Sequence, residues 1–476
     1  MLKNFIIAAI SAVALLAQNA PIRKPGAGWN LAPSEKRYAS IDGDHLMQYV
    51  RDIVAISRHY RDGHPQFWGR IIGTDADAEN AQWLMDQFRV IGLTDIHEQM
   101  FDLEPQWMPQ SWSVVATWGA KTVNVATAQP AYLSPGTHFE GIDLEAVYAG
   151  LASDADLTLS RDVKGKAVFF YSDDTTSRNA PVSNNAIKRL VERGAAAVFI
   201  VMGIPGNERV QFYPAGVTVP VFATGNEDGL AVRDLIGEAA RKDQTVHVKI
   251  RMNVEMVPNL KTGTVWATLP GMTDEVDYVV AHRDAWFDGA NDNAAGQATM
   301  LGMAEFFAAM PKEQRRRTIV FLGTTGHHDA GAESGNYFAK HKELFRKAAL
   351  LINSEHTAAM QTPTDSLGAT NAPATYRWFA GGKPRVVEIA ERAMNAFGVP
   401  TNREASPSPP GDIGLYYQFA PSIELISNRA YQWHSDKETV DTISPTGLVA
   451  VTRAYAKIIV DTNAFDLKDL RTPEMN

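Results

Sequence analysis

From residue 256 onwards, the chain alternates between short apolar runs of strand character and longer amphipathic runs of helical character. This alternation predicts an α/β fold with a mostly parallel sheet between two helical layers, because parallel neighbours need a crossover that is usually a helix. Ligand sites in such sheets lie beyond the carboxyl ends of the strands. The predicted strands are 262–268, 276–281, 317–323, 348–353 and 421–426, and the predicted helices are 294–309, 333–347, 384–397 and 445–461.

Three polar residues follow the apolar run 278–280. His282 and Asp284 come almost directly after it, and Asp292 lies in the Gly-containing loop before the next predicted helix. A histidine offers a ring nitrogen to a metal, a nearby carboxylate can orient that ring, and the two oxygens of a second aspartate can bridge two ions. The alternative is that these side chains only satisfy backbone groups of the turn.

A second unit is predicted within the chain. Residues 127–254 contain their own strands and helices but no histidine–carboxylate cluster, so we interpret them as an inserted smaller α/β domain. The catalytic domain is then discontinuous, over 41–126 and 255–476. Its first part contains predicted helices at 41–62 and 76–91, the latter with Asp75 as N-cap and Gly92 as C-cap, and then strand material over 95–118.

The N-terminus resembles a secretory signal. Lys3 precedes an apolar stretch over residues 5–17 that is short for a membrane span, so 1–20 are predicted to be a signal peptide and 21–40 a tether. An uncleaved membrane anchor is the alternative. The chain has no cysteine, so any zinc site must use histidines and carboxylates, and we expect a periplasmic or secreted protein without disulfides.

The charge distribution bears on partners. The net charge is −9, and the chain has one short basic run, so nucleic acid is not expected as a partner. After signal removal no stable membrane span is expected. A homodimer stays open, because the sequence does not reveal the oligomeric state.

Several segments, in order, resemble the co-catalytic di-zinc exopeptidases, a group that includes zinc aminopeptidases, glutamate carboxypeptidase II and carboxypeptidase Q. They are Gly-Arg-Ile-Ile-Gly-Thr at 69–74, His-Arg-Asp-Ala-Trp at 282–286, and Asp292 in the position of the bridging aspartate. The unit over 127–254 resembles the protease-associated domain found in part of that group. The chain departs from the family pattern where a Glu-Glu pair is expected, since His327 and His328 stand there.

The resemblance implies two zinc ions, with cobalt or manganese as alternatives, each held by residues that follow strand ends or lie on a late loop. One ion would be bound by His282, Asp292 and Glu355, and the other by Asp292, His328 and His434. In the same mapping, His327 takes the place of the general base. Asp284 is predicted to orient the ring of His282, and Tyr431 is a candidate oxyanion donor, with aromatic packing as the alternative.

Other residues are weaker candidates for this site. His356 is the alternative to Glu355 as a ligand, Glu333 is an alternative base, and Asp412 matches a pocket-side acidic position. Arg283 is a candidate for binding a substrate carboxylate. The charged run 436–438 is interpreted as a solvated turn.

The resemblance implies an exported metallo-exopeptidase. Its expected substrates are small peptides or N-acyl amino acids, whose terminal amide bond a metal-bound hydroxide would hydrolyse. The His-His pair leaves other possibilities: a non-catalytic peptide binder whose site has lost turnover, or a hydrolase of an ester or lactam bond. A cyclising transferase of the glutaminyl cyclase type is less favoured, because a second metal site is retained.

Overall fold

The structure, a computed structural model, describes residues 31–159, 162–172, 181–204, 206–214, 216–328, 333–360, 374–427 and 432–475. The predicted signal peptide and Tyr431 lie outside these residues. Among the described residues, no helix combines the length and the apolarity that crossing a bilayer requires.

Strands and helices are named here in chain order. The strands are β1 (Gly69–Arg70), β2 (Thr94–Asp102), β3 (Gln106–Trp118), β4 (Lys121–Asn124), β5 (Gln129–Pro130), β6 (Ile142–Tyr148), β7 (Ala167–Ser172), β8 (Ala197–Met202), β9 (Val221–Thr224), β10 (Val246–Val257), β11 (Lys261–Leu269), β12 (Val276–His282), β13 (Ala285–Trp286), β14 (Thr318–Thr324), β15 (Ala348–Ser354), β16 (Tyr376–Gly381), β17 (Thr401–Arg403) and β18 (Ser422–Ser427). The α-helices are α1 (Gly43–Gly63), α2 (Asp75–Ile91), α3 (Asp154–Leu159), α4 (Pro181–Glu192), α5 (Asn226–Ala240), α6 (Gly296–Ala308), α7 (Glu333–Lys340), α8 (Pro384–Ala396), α9 (Pro445–Thr462) and α10 (Leu467–Leu470).

The first large sheet is mixed, with the strand order β17-β16-β18-β15-β12-β14-β11-β2. Its four central strands, β18, β15, β12 and β14, are parallel to one another. Strand β11 runs antiparallel to β14, β2 to β11, and β16 to β18. The central strands are apolar along almost their whole length, as expected of a sheet covered on both faces.

Helices cover both faces of this sheet, which confirms the predicted α/β sandwich. On one face α1, α2, α6, α8 and α9 pack in a single apolar cluster with the strands. On the other face Phe338 of α7 packs with Phe345 and Tyr416, with ring centroids 6.0 and 5.0 Å from its own. The central strands are therefore buried on both faces. The residues that directly follow them lie together at the carboxyl edge of the sheet.

The second sheet has the order β4-β3-β10-β6-β7-β8-β9-β5. A second sheet is thus present, and it includes strands β3 and β4, which precede the predicted start of the second unit at 127. Strand β3 pairs with β10 along nearly its whole length, from Gln106 opposite Val257 to Thr117 opposite His247. The second unit therefore extends over about 106–257, because the backbone hydrogen bonds of 106–118 are satisfied in this sheet.

Other predictions near the chain start need correction. The tether predicted over 21–40 is wrong for Pro33–Ser40, which forms a 3-10 helix, because the buried Tyr38 ring stacks on Phe306 with centroids 5.2 Å apart. The N-cap of α2 is Thr74 and not Asp75, whereas Gly92, at φ +89°, is the C-cap as predicted.

Other predictions within the first sheet also need correction. The helix predicted over 333–347 ends at Lys340, since the backbone of His341 is non-helical, and a 3-10 turn, Lys342–Phe345, brings Phe345 into the apolar cluster. Strands β16 and β17 were not predicted.

Candidate metal centre

The carboxyl ends of the central strands bring the candidate residues together. His282 is the last residue of β12, and it pairs with Thr324, the last residue of β14. On the other side of β12, Val280 pairs with Asn353 of β15, so the segment after β15 starts at the same edge. His327 and His328 follow β14, and Glu355 and His356 follow β15, which explains how residues distant in sequence meet at one point.

Asp292 lies at the centre of this cluster, on the irregular turn Ala290–Ala295 between β13 and α6. Its Oδ1 is 3.0 Å from Nε2 of His282. Its Oδ2 is 3.1 Å from each of three Nε2 atoms, those of His328, His356 and His434. All five side chains are buried. Four imidazoles therefore converge on the two oxygens of one carboxylate.

The donor set fits a divalent metal. His282 Nε2, His356 Nε2 and Asp292 Oδ1 are buried, and the close contacts that these two rings make with Asp292 do not have hydrogen-bond geometry. The Nε2 atoms of His328 and His434 face each other at 3.3 Å. Buried polar atoms normally have partners, and facing ring nitrogens beside a carboxylate are satisfied together by a cation. Imidazole nitrogen and carboxylate oxygen are ligands that zinc accepts, and cobalt and manganese take similar sets.

Within the described part of the chain, two groups of ligand atoms are close enough to share an ion. Asp292, His328 and His434 form one group, which matches the second predicted ligand set, with all three atoms within 4.8 Å of one another. The other group consists of His282, His327 and His328. It shares His282 with the predicted set of His282, Asp292 and Glu355, but it contains His327 and His328 in place of the two carboxylates.

Asp284 holds two of the histidines in place. Its backbone carbonyl oxygen lies 3.1 Å from Nδ1 of His282, which leaves Nε2 of that ring directed at Asp292. One carboxylate oxygen accepts the backbone N–H of His328 at 2.7 Å. The predicted orienting contact is therefore made mainly by the backbone carbonyl, while the Asp284 carboxylate lies 3.6 Å from the same Nδ1.

The electrostatics follow from burial and from the close carboxylates. Burial disfavours the charged ring of His282, but contacts with Asp284 and Asp292 prevail and raise its pKa well above the usual value. Burial also opposes ionisation of Asp292, yet His328 and His356 hold its pKa well below the usual range. The pKa of Asp284 is lowered in the same way, with burial outweighed by His282. The protein thus holds these carboxylates as anions, the form in which they bind metals.

His327 occupies the open side of the cluster. Its side chain is 20% exposed, whereas those of the surrounding ligand candidates are almost fully buried. The ring stacks on His282 with centroids 4.4 Å apart, and it lies between two carboxylates: Nε2 is 3.6 Å from Glu355 and Nδ1 is 3.9 Å from Asp412. Burial lowers the pKa of His327 to about 4, so its ring is neutral at pH 7.

Glu355 and Asp412 belong to a buried acidic network behind the site. One Glu355 oxygen accepts hydrogen bonds from the Asn353 side chain at 2.7 Å and from the Asp412 backbone at 3.0 Å. Asn353 also donates to Glu424, a buried carboxyl group that the sequence analysis missed, because a lone glutamate in an apolar strand has no distinctive pattern. Burial raises the pKa of Asp412 to about 7, while Thr324 donates to its carboxylate.

Glu438 corrects the prediction of a solvated turn over 436–438. It is 3% exposed, and its two oxygens accept three backbone N–H groups: those of Asn291 at 3.0 Å, Asp292 at 2.7 Å and His434 at 3.1 Å. The prediction was wrong because a charge run in sequence does not reveal which member folds inward. Glu438 ties the Asp292 turn to the His434 turn.

The remaining candidates lie in different surroundings. Arg283 is buried, and it pairs with Asp77 at 3.0 Å and donates to backbone carbonyls of Gly263 and Gly323. The prediction that it binds a substrate carboxylate is therefore wrong, since acceptors within the protein occupy its guanidinium. Glu333, the alternative base, is the first residue of α7, and burial raises its pKa to about 7.

Two tryptophans lie next to candidate ligands in the sequence, and Trp433 contacts the site directly. Trp433 Nε1 donates to Asp292 Oδ2, and Trp286 Nε1 donates to the hydroxyl of Tyr213, a residue of the second unit. The ring of Tyr213 lies edge-on to His434, with centroids 5.4 Å apart. The second unit therefore reaches the candidate metal centre.

Comparisons with known proteins agree with this geometry. Residues 264–459 match the model of peptidase family M28. Aminopeptidase YwaD of Bacillus subtilis is 24% identical over 414 residues, covering 78% of this chain and 80% of that protein. Two solved structures have the same fold at a TM-score of 0.64. The match to BSAP, a zinc aminopeptidase from Bacillus subtilis, has 18% identity and covers 91% of this chain and 98% of BSAP. The match to the peptidase M28 precursor from Shewanella amazonensis has 17% identity and covers 89% of this chain and 97% of that protein. These matches show that the chain is similar to peptidase family M28, whose model covers residues 264–459.

Proposed function

With the match to peptidase family M28 as the premise, we propose that this protein is a zinc-dependent exopeptidase that hydrolyses the terminal amide bond of small peptides or N-acyl amino acids. The observation that carries the proposal is the convergence of four imidazoles on the two oxygens of Asp292. No packing or solubility role requires so many buried imidazole nitrogens at one carboxylate.

The protein's own residues fit the binding of two ions. Asp292, His328 and His434 would hold one ion, and His282 with the second Asp292 oxygen would hold the other. His356 lies 3.1 Å from the Asp292 oxygen of the first group, and its Nε2 is 3.9 Å from Glu355. A divalent ion at such a site polarises a carbonyl group and lowers the pKa of water. Asp284 and Glu438 keep these ligands oriented through the hydrogen bonds described above.

His327 is the residue we assign to proton transfer. It is the exposed member of the cluster, and a neutral ring can accept a proton from an attacking water. Glu355 and Asp412 flank the ring at 3.6 and 3.9 Å, so the charge that the ring would acquire is stabilised from both sides. The same ring can then give the proton to the leaving amine.

The enclosure of the site supports action at a chain end. The ligand candidates are at most 7% exposed, so a chain terminus fits beside His327 better than the middle of a long chain. The Bacillus subtilis relative is an aminopeptidase, so substrates with a free α-amine are the first to test. Export through the apolar N-terminal stretch is also part of the proposal, and that stretch lies outside the described residues.

The test combines metal content and turnover on one preparation. We expect bound zinc at neutral pH and hydrolysis of aminoacyl p-nitroanilides or dipeptides, with N-acyl amino acids assayed alongside. His434→Ala should lose metal and activity, whereas His247→Ala, an exposed histidine of the second unit, should keep both. A protein that retains only traces of zinc, cobalt or manganese would refute the proposal.

The double variant His327→Glu/His328→Glu separates a working site from a binding site. If His327 transfers protons, wild-type activity falls in the double variant. If the wild-type protein binds metal but turns over no substrate, and the double variant does turn over substrate, the wild-type protein is instead a peptide binder. Turnover of esters or lactams with none of dipeptides would point to a different bond.

A further inference from the structure

A short loop of the second unit, residues 206–214, pairs with the turn that carries His434. The backbone N–H of Gln211 donates to the His434 carbonyl at 2.9 Å, and the N–H of Asp436 donates to the Arg209 carbonyl at 3.0 Å. Between these bonds Val210 and Ser435 form an antiparallel bridge. The two units are thus joined by a miniature strand pair centred one residue from a metal-ligand candidate.

Arg209 strengthens this connection from the side of the second unit. Its backbone N–H donates to one Asp436 oxygen at 3.1 Å, and its Nε donates to the other at 3.4 Å. Its Nη1 donates to the carbonyls of Pro65 and Gln66 at 3.3 and 3.4 Å, and its guanidinium lies 5.5 Å from the Phe287 ring centre. One side chain therefore contacts three separate segments of the catalytic unit.

Gln211 also forms hydrogen bonds within the second unit, through its side chain. Its side-chain oxygen accepts from Gln129 at 3.0 Å, and its side-chain nitrogen donates to the Pro130 carbonyl at 3.1 Å. Gln129 and Pro130 form β5 of the second sheet. A continuous chain of hydrogen bonds therefore leads from the second sheet through Gln211 to the backbone of His434.

His434 needs such support because of its backbone conformation. Its φ is +59°, in the left-handed region, which costs a residue other than glycine free energy unless the surroundings hold it there. Glu438 binds its N–H from the catalytic unit, and Gln211 binds its carbonyl from the second unit. These two contacts fix the direction in which the imidazole leaves the backbone.

We propose that the second unit is a positioning element of the metal centre, in which Arg209 and Gln211 hold His434 in its ligating orientation. The inference rests on the proposed function, since it assigns a role toward the ion that Asp292, His328 and His434 would bind. It predicts that metal affinity at this position depends on the contact between the units. Loss of outer-sphere partners typically lowers metal affinity by about 10- to 100-fold.

The experiment titrates metal-free, full-length protein with cobalt(II), followed by its visible absorption, and with zinc in competition with a chromogenic chelator. The variants are Arg209→Gln, which removes the pair with Asp436, and Arg209→Lys, which keeps the charge. Arg193→Gln is the matched control, because Arg193 pairs with Asp154 inside the second unit at 3.5 Å. Thermal unfolding of each metal-free protein is recorded in parallel.

We expect Arg209→Gln to weaken one of two bound ions by about 10-fold or more while the other is unchanged, with Arg209→Lys intermediate and Arg193→Gln like wild type. A purely structural role would lower the unfolding temperature of Arg209→Gln but leave both affinities unchanged, and that result overturns the inference alone. Wild-type protein that binds neither metal overturns the proposed function, and the inference with it. If Arg209→Gln does not fold, Asp436→Asn removes the same ion pair and must show the same selective loss.

Discussion

Glu438 is the residue for which the structure makes the sharpest quantitative prediction. Its carboxylate accepts three buried backbone N–H groups, two on one oxygen and one on the other. In Glu438→Gln the side-chain oxygen can keep the two bonds from Asn291 and Asp292, but the new amide group then faces the N–H of His434. Burial and the neighbouring Asp292 raise the pKa of Glu438 to about 8, so the lost bond is not counted as one to a charged group, and the buried donor left without an acceptor costs about 1–3 kcal/mol.

The free energy of unfolding of the metal-free protein measures this cost. We expect the denaturant midpoint of Glu438→Gln, followed by tryptophan fluorescence, to fall by an amount equivalent to about 1–3 kcal/mol. Glu438→Ala leaves all three donors unpaired and should cost more. The control is Glu391→Gln on the exposed face of α8, expected within about 0.5 kcal/mol of wild type. Equal midpoints for Glu438→Gln and Glu391→Gln would refute the reasoning, because the buried bond from the His434 N–H would then contribute nothing.

Three further predictions concern other parts of the first unit. Burial raises the pKa of Asp277 in the folded protein from 3.8 to about 7. Between these values the unfolded chain releases its proton first, so the free energy of unfolding falls as pH rises, by up to about 4 kcal/mol. Asp277→Asn should lack this decline in denaturation midpoints measured from pH 4 to 7, and an unchanged slope would count against the prediction. Gly69→Ala should destabilise by about 2–4 kcal/mol in thermal unfolding, because Gly69 has φ +147° and its Cβ would meet the backbone of β13, whereas Gly63→Ala at an open position should not. His356→Ala should lower zinc affinity by about tenfold in chelator competition, and an unchanged affinity would place His356 outside the coordination sphere.

Local sequence patterns were sufficient where a feature depends on residues close in sequence. The helix over 75–91 ends at Gly92 because a glycine there adopts a left-handed conformation, and this ending was predicted. The central strands were predicted from short apolar runs, and their carboxyl ends bring His282, His328 and Glu355 to one edge of the sheet. The sequence therefore led to the neighbourhood of the candidate site before any contact was known.

Pairing across long distances in the chain was not predictable in the same way. Strand β3 was assigned to the catalytic unit because it follows β2 directly, but it pairs with β10 and so belongs to the second sheet. Nothing within 106–118 distinguishes the two sheets, since its alternating pattern suits either. The contact of Gln211 with His434 depends on the same long-range arrangement.

The sequence by itself determined the alternation of strands and helices, the position of the His-x-Asp segment at a strand end, and the supply of histidines and carboxylates for a site without cysteine. Only the tertiary structure decided which side chains reach Asp292. It added His356 to the cluster, turned Glu438 inward and directed Arg283 away from the site. The physical reason is that a side chain's chemistry is fixed by its residue type, whereas its partners are fixed by packing between segments distant in the chain.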